Sequence, residues 1–168
     1  MYFKYCAESP SVSEYVGLEP VHELHAEIHK SINKYSDQIR FPSRILGCFI
    51  EDISPSENGT YDSVILGNVL CEVPDEVTTL YHVKRLLKKG GRCYFSEHVM
   101  DRDQKWRAIT QMIVAPWWRT VSGGCNVTRH QLDHIVNAFG QDNICHWTLY
   151  AGSFPWTARF EIGLALCT

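Results

Sequence analysis

The sequence has no apolar run approaching the roughly 18 residues that a membrane-spanning helix needs, so no span is placed on it. It has no Cys-x-x-Cys pair. Its seven cysteines, Cys6, Cys48, Cys71, Cys93, Cys125, Cys145 and Cys167, are odd in number and widely scattered. That argues against a disulfide framework and for reduced thiols in a cytosolic setting, packed as small apolar groups. There is also no basic run. The net charge is −3, and the one small cluster, Lys84, Arg85, Lys88 and Lys89, falls at the end of an expected helix, where cations suit the dipole. A nucleic-acid partner is therefore not expected. Internal repeats, low-complexity tracts and linkers are missing too, and the 168 residues read as a single domain, 1–168, long enough for a core.

What is present is organised around Tyr61–Leu70, Tyr-Asp-Ser-Val-Ile-Leu-Gly-Asn-Val-Leu. A turn signal, Glu57-Asn58-Gly59-Thr60, precedes this short apolar run, which suits a strand buried on both faces. Ligands of open α/β sheets sit beyond the carboxyl ends of the strands. Asn68 to Cys71 would face such a crevice.

The other elements follow in order. Met1 to Cys6 has the look of mid-helix. Glu14 to Leu18 is a strand ending at Glu19-Pro20. A helix follows to about Tyr35, with Val21, Leu24, Ile28, Ile32 and Tyr35 on one face. Arg44 to Ile50 is a second strand. Pro74-Asp75-Glu76 opens a helix that Lys88-Lys89-Gly90-Gly91 closes. Arg92 to Ser96 is a strand with Glu97-His98 at its carboxyl end. Asp103 to about Arg119 is an aromatic-rich helical region interrupted at Pro116. Thr128 to Gln131 has the form of a capping box for a helix ending at Gly140. Ile144 to Tyr150 and Ala158 to Leu166, joined by a Gly/Ser/Pro loop, suit an antiparallel hairpin. The order predicts an α/β fold, a three-layer, mostly parallel sheet with an antiparallel C-terminal strand.

Several residues could carry chemistry. Glu19, an acid at a strand end, suits ribose hydroxyls, and it equally suits a helix N-terminus. Glu51 and Asp52 could accept from an adenine amino group or form a solvated loop pair. Asn68, Val69 and Leu70 could line the crevice or lead into a helix. Glu97-His98 could face a substrate or pair at the sheet rim. His22, His25 and His29 share a helix flank and read as solvated, so no metal site is expected. Trp106, Trp117 and Trp118, with Ile109, Met112 and Ile113, read as core. Their alternative is a lid over an apolar substrate or a surface on lipid, where Arg102, Lys105, Arg107 and Arg119 would meet anionic headgroups.

Taken together, Tyr61-Asp62-Ser63-Val64-Ile65-Leu66 and Leu86-Leu87-Lys88-Lys89-Gly90-Gly91 resemble the fourth strand and the turn before the fifth strand of class I S-adenosylmethionine-dependent methyltransferases of type 11. Val69-Leu70-Cys71, Tyr94-Phe95-Ser96-Glu97-His98-Val99 and Gly124-Cys125-Asn126-Val127-Thr128-Arg129 are similar to the animal methyltransferase-like protein seven group, thiol S-methyltransferases of the endoplasmic reticulum and lipid droplets. The Gly-Cys-Asn-x-Thr-Arg run is the most specific, because strand physics does not demand it.

The resemblance implies S-adenosylmethionine as cofactor and a small, apolar acceptor such as a thiol. It implies Glu19 on the ribose, Glu51 and Asp52 near the adenine, and Asn68 and Val69 beside the methionine end. His98 is implied as the catalytic group. Cys71, Trp106, Trp117 and Trp118 would line the acceptor. It also implies a cytoplasmic chain in peripheral contact with an endoplasmic-reticulum or lipid-droplet surface.

One departure accompanies these matches. Phe3-Lys4-Tyr5 looks like the residues just after the group's glycine-rich loop, so that loop, the first strand and an N-terminal anchor are not in the sequence. The expectation is a truncated chain whose strands at Glu19 and Asp62 lack the neighbour between them. Unpaired buried backbone groups cost about 1–3 kcal/mol each. Cofactor binding by the chain alone is then expected to be weak or nil. The competing expectations are a non-catalytic remnant acting as a binding module and a nicotinamide-dependent Rossmann enzyme.

Overall fold

A computed structural model describes residue 6, residues 8–152 and residues 158–168. The helix-like Met1–Tyr5, the Phe3-Lys4-Tyr5 match and most of the Gly/Ser/Pro loop lie outside the described residues. The chain divides into two compact units, Met1–Ile53 and Ser54–Thr168.

In the first unit, β1 (Tyr15–Leu18) pairs in parallel with β2 (Ser43–Leu46). A crossover of one 3₁₀ turn, His22–Leu24, and helix α1 (His25–Asn33) joins them. The ladder continues at both ends, from Tyr15 N–H to the Pro42 carbonyl and from Glu19 N–H to the Leu46 carbonyl. The expected helix to Tyr35 is thus shorter, and its apolar face is not a core face: Val21 and Leu24 are both 47% exposed. Two strands of four residues offer that face little to pack on. The strand expected over Arg44–Ile50 stops at Leu46, and Ile50–Asp52 forms a 3₁₀ turn instead.

The second unit holds β3 (Tyr61–Gly67), α2 (Glu76–Leu86), β4 (Leu87–Val99), α3 (Lys105–Val121), α4 (Gln131–Phe139), β5 (Ile144–Ala151) and β6 (Ala158–Leu166). The sheet order is β3-β4-β6-β5. β3 and β4 are parallel, and β6 is antiparallel to both β4 and β5. Three strands therefore run one way and β6 alone runs back, as the sequence predicts.

The period of two along β4 sorts its side chains. Cys93, Phe95, Glu97 and Val99 are buried, while Tyr94 is half-exposed. Leu66 of β3 and Ala165 of β6 share the buried side, and α2 and α4 pack on the sheet and on each other through Leu80, Val83, Leu86, Ile135 and Phe139. α2 begins where Asp75 accepts the Val77 and Thr78 N–H groups, satisfying donors the helix leaves free.

Three expectations are corrected here. The expected helix stop at Lys88–Gly91 is part of β4: Leu86 ends the helix, and Gly90 (φ 78°) turns the extended chain while its N–H bonds to the Cys167 carbonyl. Pro116 does not interrupt α3, which runs through it. The N–H that proline lacks would have served Met112, which is 51% exposed, so water can solvate the freed carbonyl. The capping box at Thr128 does not form. Asn126 Oδ1 takes both the Thr128 N–H and hydroxyl, and the helix starts at Gln131 after an uncapped His130.

Gln131 is left fully buried, with neither amide atom hydrogen-bonded among the described residues. A buried amide without partners costs about 1–3 kcal/mol. Gln131→Met, nearly the same shape without that debt, is expected to raise stability by about 1 kcal/mol. Urea unfolding that shows the variant less stable would contradict this account.

Candidate functional site

The sequence at the carboxyl end of β3 forces an unusual turn. Asn68 has φ +58°, a left-handed conformation that asparagine tolerates better than most residues. Its N–H still donates to the Ser96 carbonyl, extending the parallel ladder by one step. The chain then turns so that two successive amides point at one side chain. Val69 N–H donates to Glu97 Oε1 (3.0 Å) and Leu70 N–H to Glu97 Oε2 (3.1 Å).

Glu97 is wholly buried. Burial drives its carboxyl upward, the amides of Val69, Leu70 and Cys71 draw it down, and the balance stands at about 7. A carboxylate so placed is a brace for the turn: it accepts what the loop backbone must donate.

A second brace comes from the loop between α3 and α4. Arg129 Nη1 donates to the Leu70 carbonyl (2.8 Å) and the Val73 carbonyl (2.7 Å), and lies 3.5 Å from Glu76 Oε1. Asn126 N–H donates to the Cys71 carbonyl (2.9 Å). This is what the Gly-Cys-Asn-x-Thr-Arg run does: it fastens one loop to the next at the strand ends.

The fastening brings Cys125 to Cys71. Both are buried, and with His98 their ligand atoms all lie within 4.8 Å of one another. His98 Nδ1 is 3.6 Å from Cys125 Sγ. Cys71 Sγ donates to the Asn68 carbonyl (3.5 Å). The Cys125 thiol is held well below its ordinary pKa by hydrogen bonding from Cys71, against burial and with help from His98 and Trp118. Cys71 is raised correspondingly, by that same hydrogen bond and by burial. The half-buried His98 ring rests on Phe160, centroids 4.1 Å apart.

The residues singled out by sequence fall into two groups. Asn68, Val69, Cys71, His98 and Trp118 belong to this one neighbourhood of the second unit, Trp118 with a buried indole N–H beside Cys125. Trp106 and Trp117 do not form a core: they are 41% and 60% exposed, and no residue of α3 is buried. Ile109, Met112 and Ile113 are exposed with them, so α3 presents an apolar outer face, as the lid or surface alternative requires.

Glu19, Glu51 and Asp52 belong to the first unit. Glu19 Oε1 accepts the Val21 N–H (2.9 Å), and its carbonyl meets His25 Nε2 (2.8 Å), the helix-start role set beside the ribose role. Glu51 and Asp52 lie exposed on the 3₁₀ turn. The histidine flank of α1 has His22 and His25 rings 4.9 Å apart. Sequence reasoning did not name Cys125 or Arg129 as site residues, nor Glu97 as the brace of the loop.

The chain matches a family described as a methyltransferase domain over residues 2–146. It is 35% identical over 88 residues to human thiol S-methyltransferase TMT1A, covering 52% of this chain and 36% of that protein. With human thiol S-methyltransferase TMT1B it shares 33% over 88 residues, at the same coverage. The match spans little more than a third of the length of these curated relatives. A SAM-dependent methyltransferase structure from Methanosarcina mazei has the same fold: TM-score 0.66 at 10% identity, covering 99% of this chain and 86% of that one.

Proposed function

The chain belongs to the methyltransferase-domain family, and from that we propose that it serves S-adenosylmethionine-dependent methyl transfer to a small, apolar thiol. The observation that carries this reading is the turn at Asn68–Cys71, with its backbone fixed by the Glu97 carboxylate and the Arg129 guanidinium. It stands at the carboxyl ends of parallel strands, where α/β sheets bind ligands. Asn68 and Val69 would meet the methionine end of the cofactor. A fixed backbone matters because methyl transfer depends mainly on alignment: the sulfonium, the methyl carbon and the incoming sulfur must lie nearly in line.

The reaction forms one carbon–sulfur bond and breaks another. The acceptor sulfur takes the methyl, and the sulfonium leaves as neutral S-adenosylhomocysteine. The acceptor must first lose its proton, because the thiolate is the nucleophile. We assign that proton loss to the neighbourhood of His98, Cys71 and Cys125, the strongest concentration of polarisable and basic groups near the turn. Trp118 and the apolar outer face of α3 support an apolar acceptor over a charged one.

The test incubates the chain with S-adenosylmethionine tritiated on its methyl group and with small thiols of increasing chain length, alongside matched alcohols and amines. Labelled methyl thioethers, more abundant with the longer alkyl thiols, are expected. Label on alcohols or amines alone would sink the thiol assignment. Firm retention of the cofactor by the chain would overturn the expectation, drawn from its sequence, that binding is weak or nil.

A further inference from the structure

We propose that Cys71, His98 and Cys125 are three ligands of a zinc-class cation, with a fourth coordination position open to an exogenous thiolate. The metal site stands on its own geometry; only the use of the open position rests on the methyl-transfer reading.

Three residues from three separate parts of the second unit bring two sulfurs and one imidazole nitrogen together. Cys71 is in the turn after β3, His98 is on β4, and Cys125 follows Gly123 and Gly124 in the loop after α3. All three ligand atoms lie within 4.8 Å of one another. A tetrahedral zinc with sulfur at about 2.3 Å and nitrogen at about 2.0 Å sets its ligand atoms roughly 3.5–3.8 Å apart. The His98–Cys125 edge is already 3.6 Å, and the remaining edges need contract by no more than about 1.3 Å.

Ordinary packing does not demand this convergence. Buried cysteines behave as small apolar groups and have no need of an imidazole. The other described cysteines, Cys6, Cys48, Cys93, Cys145 and Cys167, belong to no such cluster. A two-thiolate, one-imidazole set selects zinc or another soft ion over magnesium or calcium, which want oxygen. Three protein ligands with one open position is the pattern of catalytic rather than structural zinc.

The surroundings suit a metal. Arg129 and Asn126 hold the two cysteine loops together through the Leu70, Val73 and Cys71 carbonyls. Phe160 supports the His98 ring. The Trp118 indole N–H, buried and without another partner among the described residues, is a donor available to a metal-bound Cys125 sulfur, as outer groups commonly are. The open side is that of His98, the one ligand not fully buried.

The step balances. On binding the ion, each cysteine thiol that still holds a proton releases it to solvent. An acceptor thiol entering the fourth position releases its own proton to solvent, since a coordinated thiol is deprotonated. The methyl then passes from the sulfonium to that sulfur, and the neutral thioether, a weaker ligand than the thiolate, departs.

The test titrates the reduced chain with Co²⁺ under anaerobic conditions and then with Zn²⁺. Thiolate-to-cobalt charge-transfer absorption is expected, saturating near one equivalent and bleached by zinc. It should be lost in Cys125→Ser and lost or strongly altered in His98→Gln, yet kept in Cys145→Ser, which changes an exposed cysteine of β5. As a second measurement on the unaltered chain, zinc should shield Cys71 and Cys125 from iodoacetamide while Cys145 alkylates equally with and without metal. No charge-transfer band, a band that persists in Cys125→Ser, or a Cys71–Cys125 disulfide in a chain whose reduced form takes up no metal would each overturn the site. Cobalt binding in a chain that methylates no thiol would uphold the site and refute the acceptor reading. Thiol methylation unaffected by removing bound zinc would refute the role of the open position.

Discussion

Glu97→Ala is expected to lower the stability of the second unit by about 2–4 kcal/mol and to release the Asn68–Cys71 turn. The Val69 and Leu70 amides both end on this one carboxylate, and no backbone acceptor replaces it among the described residues. Leu70 is fully buried, so water cannot take over its N–H, and each abandoned buried donor costs about 1–3 kcal/mol. The left-handed Asn68 depends on the same brace, because a strained backbone angle persists only where its surroundings over-determine it. Glu97→Gln separates brace from charge. Its amide oxygen can still accept one N–H, so it should lose about half as much.

The pH dependence supplies a second separation. The folded carboxyl titrates at about 7, above the ordinary value of about 4.3. The folded state therefore binds the proton more tightly than the unfolded state. Its contribution is fully present below the ordinary value and declines as pH rises through about 7. Glu97→Gln should lack that decline. Urea unfolding from acid to neutral pH checks both points. A Glu97→Ala chain as stable as the parent, with the turn's amides equally protected from exchange, would show that the carboxylate does not hold the loop.

The sheet was legible in the sequence because periodicity and turn residues carry it. The apolar run of β3 between Asn58-Gly59 and Gly67-Asn68, and the hairpin after Gly140, are local signals, although β3 ends its sheet with only Leu66 buried rather than being covered on both faces. The places where the sequence misled are places where a competing partner, near or distant in the chain, decided. Thr128 has the residues of a capping box, but Asn126 takes its hydroxyl. Lys88-Lys89-Gly90-Gly91 has the residues of a helix stop, but pairing with Cys167 draws Gly90 and Gly91 into extended chain. The Trp-rich α3 has the composition of a core and the exposure of a surface, since composition does not say what lies opposite a helix.

The site was legible only in part, for the same reason. Asn68, Val69 and His98 follow from a rule about strand ends, which a sequence shows directly. Cys71, His98 and Cys125 have no motif spacing, and no local pattern foretells that three residues so far apart will converge. The one available signal was the Gly-Cys-Asn-x-Thr-Arg run. Neither helix nor strand requires those residues, and in the structure each of Cys125, Asn126 and Arg129 reaches across to the Cys71 loop or its neighbours.

Glu161→Gln is expected to cost about 3 kcal/mol at neutral pH, with a dependence on acid opposite in sign to that of Glu97. Glu161 is buried at the centre of β6. Its Oε1 accepts from the Thr148 hydroxyl (2.7 Å) and from Arg159 Nε and Nη2 (3.1 and 2.9 Å), and its Oε2 meets His146 Nδ1 (2.8 Å). Burial works to raise this carboxyl, but the hydrogen bonds from Thr148, His146 and Arg159 outweigh it, and the group lies below the usual carboxylate range. The contrast with Glu97 is one of partners: Glu97 faces neutral amides, whereas Glu161 also faces a guanidinium. Removing one member of a buried pair is costly because the other is left behind, about 3–5 kcal/mol in such cases. Arg159 keeps Asp101 and Asp103 nearby, which places the loss at the lower end. Because the folded carboxyl is depressed, its stabilisation is present above the ordinary value of about 4.3 and is lost as pH falls through the folded value. The gap between the parent chain and Glu161→Gln should therefore be widest near neutrality and narrow steadily in acid, while the Glu97 contribution grows in the same direction. Denaturant unfolding of both chains from about pH 7 to about pH 3 reads this. A gap that stays constant or widens in acid would mean that Arg159 and its neighbours do not hold the Glu161 charge.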